Sequence, residues 1–123
     1  MKLQDFEELI LEALEEVPPE LAEHLANLQI EVHDWPSEDD LRQAGLKEKH
    51  QLLGLYIGVP LTQVGRDRAS GLMPDVIKVF QRPIEALTVE PQQVKRRVRQ
   101  VILHEIGHRF GISDERLHEL GAY

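Results

Sequence analysis

The feature that most constrains the fold is a long, uninterrupted helical pattern near the end of the chain. Apolar residues recur every four positions between Pro91 and Phe110, so one side of this segment is continuously hydrophobic. They are Val94, Val98, Ile102 and Ile106. Pro91 suits the first position of a helix and Gly111 ends the pattern, after which Ser113 can cap a last short helix that Gly121 ends. In a chain of 123 residues, a helix of this length must bury its apolar side against much of the remaining structure.

Shorter patterns predict what that helix packs against. Helical spacing predicts an amphipathic helix over Gln4–Glu16, and Pro19 can begin a second, short helix. Alternating apolar and polar residues predict a half-buried strand over Leu28–His33. Runs rich in leucine, β-branched and aromatic residues predict two further strands, at Leu52–Val59 and Val76–Phe80.

The remaining segments have the composition of caps and loops. Ser37 followed by Asp40 is typical of a helix N-terminus, and that short helix would end at Gly45. Residues 65–71, which are rich in glycine and charged side chains, predict a loop between the last two strands. Together the patterns predict an α+β fold, in which a small sheet of three to four strands packs against the long C-terminal helix and the N-terminal helices.

Composition excludes several classes of protein. The chain is 41% hydrophobic and 29% charged, which is typical of a soluble globular domain. No apolar run approaches the roughly 20 residues of a membrane span, and the absence of cysteine excludes disulfides and thiolate metal ligands. The first residues turn acidic without the apolar run of a secretory signal, so we expect a cytoplasmic protein that has no association with membranes.

The net charge of −8 is distributed unevenly. Residues 1–40 carry 13 acidic side chains and one lysine, whereas residues 41–123 carry 9 acidic and 13 basic side chains. An acidic excess of this kind usually marks the solvated face of helices. A basic cluster lies at residues 95–99, but no aromatic side chains interleave it, so we do not expect nucleic-acid binding.

One segment of the long helix carries side chains with catalytic chemistry. His104 and His108 lie one turn apart on the same face, so both imidazoles can bind one metal ion. Glu105 lies beside His108, where its carboxylate can hold a water molecule without binding the metal itself. Zinc then needs a third protein ligand, and a turn at Gly111 can bring the carboxylate of Asp114 toward the ion.

The extended pattern is specific, although its third ligand has alternatives. Composition alone would produce the two histidines, the glutamate, the glycine and the aspartate at these offsets only about 0.0001 times in such a chain. Asp114 also suits the first turn of a helix, where a carboxylate stabilises the helix dipole. His118 and Glu119 lie within about one turn of Asp114 and are the reserve ligands.

This segment resembles the zincin metallopeptidase motif with an aspartate as third ligand, and the chain resembles the small bacterial family of minimal zincin-like metallopeptidases. The resemblance extends over residues 54–62, 74–80 and 114–121. It implies a single zincin-like domain over residues 1–123 with zinc as its cofactor. The implied metal ligands are His104, His108 and Asp114, and the implied catalytic base is Glu105.

Two functions are consistent with this motif. The first is a zinc hydrolase of peptide bonds, whose peptide or protein substrate pairs with an open edge of the sheet. An amidase that acts on other substrates belongs to the same class. The second is a zincin-like binding module, in which the sheet edge or the acidic first helix binds a partner and any metal is structural or vestigial. The oligomeric state is not predicted.

Two glycines of the motif have opposite expected roles. A positive φ at Gly111 would make a β-branched residue strained at that position. Gly107 lies inside the helix, where alanine should gain up to about 1 kcal/mol of stability if nothing packs closely against it.

Overall fold

The computed structural model describes residues 1–58 and 75–121, and most of its helices lie where the sequence predicts them. The helices are α1 (Leu3–Glu15), α2 (Pro19–Ala22), α3 (Glu38–Ala44), α4 (Gln81–Ala86), α5 (Pro91–Arg109) and α6 (Asp114–Glu119). Short 3₁₀ turns follow α2 and precede the second strand, at Glu23–Leu25 and Lys49–Gln51. No helix in these two ranges combines the length and the hydrophobicity that crossing a membrane would require.

The strands form a three-stranded mixed sheet, which confirms the α+β class. They are β1 (Leu28–His33), β2 (Gly54–Ile57) and β3 (Asp75–Phe80), in the order β1-β3-β2. The central strand β3 pairs in parallel with β1, with Leu28 opposite Asp75, and antiparallel with β2, with Gly54 opposite Val79. Within the described residues, β1 and β2 are therefore the edges of this sheet. The predicted loop at residues 65–71 lies outside them.

Two elements differ from the sequence predictions by more than one residue. The second strand begins at Gly54, two residues later than predicted, and the end predicted at Val59 lies outside the described residues. Helix α4, which directly follows β3, was not predicted. It has only six residues and buries just three of them, so it leaves no periodic pattern in the sequence. The buried residues are Gln81, Pro83 and Ile84.

The core lies between the sheet and α5. All four residues of the predicted apolar stripe on α5 are buried, which confirms the side by which this helix packs. Helix α1 contributes three buried residues to the same cluster, and β3 contributes two more. They are Phe6, Ile10 and Ala13 from α1, and Ile77 and Val79 from β3. At the height of the motif, His104 and His108 lie on the side of α5 roughly opposite Ile106, which belongs to this stripe.

Helix α3 is tied to the sheet by one buried carboxylate. Asp40 accepts a hydrogen bond from the Ser37 N–H (3.0 Å), and the Ser37 hydroxyl accepts one from the Asp40 N–H (3.1 Å), which confirms the predicted capping pattern. The other oxygen of Asp40 accepts a hydrogen bond from Lys78 Nζ on β3 (2.9 Å). Burial raises the pKa of Asp40, but the hydrogen bonds from Lys78 and Ser37 outweigh it, so this pKa lies below its usual value.

Asp40→Ala should therefore destabilise the fold, whereas Asp39→Ala should not. Asp40 is 3% exposed and its loss removes a cap and leaves Lys78 unpaired, for which we expect about 1 to 3 kcal/mol in the free energy of unfolding. Asp39 lies in the same turn with a side chain that is 75% exposed. Urea titrations of both variants at neutral pH measure the difference, and equal losses would contradict this role for Asp40.

The effect of Asp40 should also depend on pH. A carboxylate whose pKa is lower in the folded state stabilises the protein above its unfolded pKa, near ~3.9, and loses this effect as the pH falls through the folded value. The difference between wild type and Asp40→Ala should therefore be largest at neutral pH and shrink below about pH 4.

Candidate metal centre

The motif helix ends in a tight reversal at Gly111. Gly111 has a φ of 71°, in the left-handed region, as the sequence predicts. The Ile112 N–H donates to the Gly107 carbonyl (2.8 Å), and the Gly111 N–H donates to the His108 carbonyl (3.4 Å). This pair of bonds is the Schellman arrangement, which satisfies the last carbonyls of the helix. The helix proper ends at Arg109, one residue earlier than predicted.

Helix α6 folds back against the end of α5. The Ser113 hydroxyl accepts a hydrogen bond from the Arg116 N–H (3.1 Å), so Ser113 caps α6 as predicted. Leu117 is fully buried and packs on Gly107. A Cβ at Gly107 would lie 2.5 Å from Leu117 Cδ2, so the condition under which alanine was expected to stabilise this position, that nothing packs closely against it, is not met. The glycine is needed for α6 to approach α5.

This arrangement brings together the three residues that the sequence predicts as metal ligands. The rings of His104 and His108 lie with their centroids 4.0 Å apart, and His108 Nε2 is 3.7 Å from Asp114 Oδ1. Burial, followed by repulsion from His108, lowers the pKa of His104, while the charge of Asp114 partly opposes this shift. A lowered pKa favours the neutral imidazole, which is the form that binds a metal.

The donor set fits zinc, although the side chains must converge further to bind it. Across residues 1–58 and 75–121, no three histidine or acidic side chains are positioned to hold an ion as they stand. Two imidazoles and one carboxylate are nevertheless a typical zinc ligand set with one position left open. The side chains of His108 and Asp114 are 51% and 75% exposed, so both can change rotamer without disturbing the core.

Glu105 lies between the histidines and the sheet. Its carboxylate is half-buried and accepts a hydrogen bond from the backbone N–H of Tyr56 on β2. Burial raises the pKa of Glu105, and the charge of His108 and the Tyr56 hydrogen bond only partly offset it. A carboxylate with a raised pKa is a better proton acceptor at neutral pH.

The other candidate residues have different surroundings. Glu119 forms an ion pair with Arg116 (2.7 Å), and His118 lies on the exposed side of α6. A tyrosine hydroxyl is a residue type that can stabilise an oxyanion. The hydroxyl of Tyr56 donates to Asp75 (2.5 Å), and Tyr123 lies outside the described residues.

Two contacts around the motif were not predicted. The Tyr56 N–H reaches Glu105 only because β2 lies against α5, and no residue type in the sequence signals a backbone donor. His24 stacks on Phe110 with ring centroids 3.9 Å apart, which joins the N-terminal segment to the end of α5. Neither contact follows from local spacing, because the partners are far apart in the chain.

A mixed sheet that packs on a helix carrying the His-Glu-x-x-His pattern defines a zincin-like protein. The chain belongs to the zincin-like metallopeptidase family, whose model matches residues 25–122. This match confirms the resemblance inferred from the motif. No curated protein matches the chain.

Gly111→Val and Gly45→Val should cost similar stability, but only Gly111→Val should weaken metal binding. Both glycines have a φ of 71° with open space around the position of a Cβ, so valine adds backbone strain of roughly 1 to 3 kcal/mol at either site. Of these two turns, only the one at Gly111 places a predicted metal ligand, Asp114, near His108. Thermal unfolding of the metal-free variants and calorimetric titration with ZnCl₂ separate the two effects. Unchanged zinc affinity in Gly111→Val would show that Asp114 reaches the ion in another way.

Asp114→Ala should lower the affinity for zinc, whereas Glu115→Ala should not. Both residues are exposed carboxylates in the first turn of α6, so the two variants lose the same favourable charge at the helix N-terminus. We expect the affinity for zinc to fall at least about tenfold in Asp114→Ala. Even residues that only hydrogen-bond to metal ligands contribute roughly 10- to 100-fold to metal affinity. Competition with a chromophoric chelator measures both variants. Equal affinities would leave Asp114 with only its role at the helix terminus.

Proposed function

We propose that this protein is a zinc-dependent peptidase in which Glu105 transfers the protons. The observation that carries this proposal is the position of the Glu105 carboxylate. It accepts the Tyr56 N–H from the edge strand β2 and lies beside His108, one of the two candidate metal-binding imidazoles. A substrate held along β2 would therefore lie beside both the base and the candidate metal centre.

The chain offers His104, His108 and Asp114 to hold the ion. When bound, zinc polarises the substrate carbonyl as a Lewis acid and lowers the pKa of a water molecule toward ~7. The half-buried position of His104 supports this role, because it keeps the imidazole neutral and available.

Glu105 then moves the protons. Its carboxylate accepts a proton from the attacking water and delivers that proton to the nitrogen of the leaving amine, so the peptide bond breaks without a free charge developing on the amine. Burial favours this cycle because it raises the proton affinity of the carboxylate. The hydrogen bond from Tyr56 holds the carboxylate in one orientation, which aligns it with the bound substrate.

The register of β2 supports an extended substrate. The Phe80 N–H donates to the carbonyl of Leu53, just before β2 (3.0 Å). By alternation, Leu55 and Ile57 of β2 direct their backbone groups toward β3. The backbone groups of Gly54 consequently point to the outer edge of β2. An extended peptide can add to such an edge through main-chain hydrogen bonds, which gives broad sequence tolerance.

Glu105→Gln should retain zinc and lose hydrolysis. We expect the rate of hydrolysis to fall at least about 100-fold, because the amide of glutamine cannot accept a proton. Bound zinc should be retained, because Glu105 is not one of the proposed metal ligands. His108→Gln is the matched control and should lose both zinc and activity. A library of fluorescence-quenched peptides, assayed with ZnCl₂ and again with EDTA, measures activity, and atomic absorption measures bound metal.

Two results would contradict this assignment. Loss of zinc in Glu105→Gln would show that the glutamate is a ligand. Absence of any peptide hydrolysis by the zinc-loaded wild type would favour the zincin-like binding module.

A further inference from the structure

A cavity of about 340 Å³ opens beside the candidate metal centre, between the start of β2 and the middle of α5. Part of its lining is apolar, and the two motif residues His104 and Glu105 also line it. The apolar part consists of Leu52, Leu53 and Val101. This volume is at the lower end of the range of about 300 to 1,000 Å³ for ligand pockets, so it suits a side chain or a small group.

The polar wall of this cavity is basic. Arg97 and Gln100 line it, and they lie on the same face of α5 as His104, which follows Arg97 by seven residues. Arg97 is half-buried and makes no ion pair or hydrogen bond with any other residue of the ranges 1–58 and 75–121. A half-buried guanidinium without a carboxylate partner is costly to desolvate, which makes it a strong site for an incoming anion.

A neighbouring cavity extends the same basic wall. It is lined by Arg96 as well as by Arg97 and Gln100. Glu105 is the only acidic residue among the described residues that line either cavity. The groove that leads to the candidate metal centre therefore has positive walls in a chain whose net charge is −8. This contrast points to a negatively charged substrate group.

We propose that the cavity beside β2 selects an acidic side chain of the substrate, with Arg97 as the positioning residue that binds its carboxylate. The proposal rests on the proposed peptidase function, because it treats β2 as the edge to which the substrate binds. Gln100 can donate a second hydrogen bond to the same carboxylate. The apolar part of the lining would contact the methylene groups of a glutamate.

The spacing predicts where that acidic residue lies. Seven residues of α-helix separate Arg97 from His104, which corresponds to about 10 Å along the helix axis. An extended peptide advances about 3.4 Å per residue. The selected residue should therefore be about three positions from the bond that is cleaved.

The test measures binding and cleavage separately. Fluorescent decapeptides of alanine and serine carry one glutamate, or one glutamine as control, at each position in turn. Their binding to zinc-loaded Glu105→Gln protein is measured by fluorescence anisotropy, which needs no turnover. We expect the best glutamate peptide to bind about tenfold more tightly than its glutamine counterpart, as a charge-assisted hydrogen bond allows. Wild-type protein then locates the cleaved bond in the same peptides.

Three variants assign the preference to Arg97. Arg97→Gln should reduce the tenfold ratio of affinities to about one. Arg97→Glu should reverse it, so that the glutamine peptide binds more tightly than the glutamate peptide. Lys95→Gln is the matched control, because it removes the same charge from α5 at a residue that pairs with Glu16 instead (2.9 Å). It should keep the preference for glutamate.

The outcomes separate this proposal from the peptidase assignment. Equal binding of the glutamate and glutamine peptides, or binding of neither, would overturn the acidic subsite. A preference that persists in Arg97→Gln would overturn the role of Arg97. A preference that depends on Arg97, in a protein that cleaves none of the peptides, would support the subsite and overturn the peptidase assignment.

Discussion

The structure depends on how closely α5 approaches its two neighbours. A side chain at Gly54 would overlap Val101 on the helix, and a side chain at Gly107 would overlap Leu117 of α6. At both contacts one partner is a glycine, so backbone meets side chain without an intervening Cβ. The first contact brings the Tyr56 N–H to Glu105, and the second holds α6 near His108. The candidate site is a consequence of these two distances.

Sequence reasoning was accurate where the determining interactions are local. The apolar stripe of α5, the cap formed by Ser37 and Asp40, and the reversal at Gly111 all depend on residues within one or two turns of each other, so their spacing was sufficient. Helix α4 was missed because six residues give no period. The crowding of Gly107 by Leu117, and the hydrogen bond to Glu105, arise between separate elements that the sequence does not bring together.

Not all the acidic side chains of the N-terminal segment are simply solvated, because some of them form ion pairs. Two acidic residues of the N-terminal segment pair with basic residues much later in the sequence: Glu16 with Lys95, and Glu20 with Arg116. Isolated ion pairs on the surface contribute little to stability, but bidentate pairs between arginine and a carboxylate are more specific in geometry. Arg96 and Arg97 take no part in this pairing, which leaves the groove beside the candidate metal centre basic.

The contact between Glu20 and Arg116 has a consequence for the boundary of the functional unit. Both oxygens of Glu20 accept hydrogen bonds from the guanidinium, at 3.0 and 2.8 Å, and Arg116 lies on the same short helix as Asp114. Glu20 precedes residues 25–122, which match the family. Helix α1, which also precedes them, covers the apolar side of α5. Residues outside the matched range thus contribute both to the core and to the contacts of the last helix in this chain.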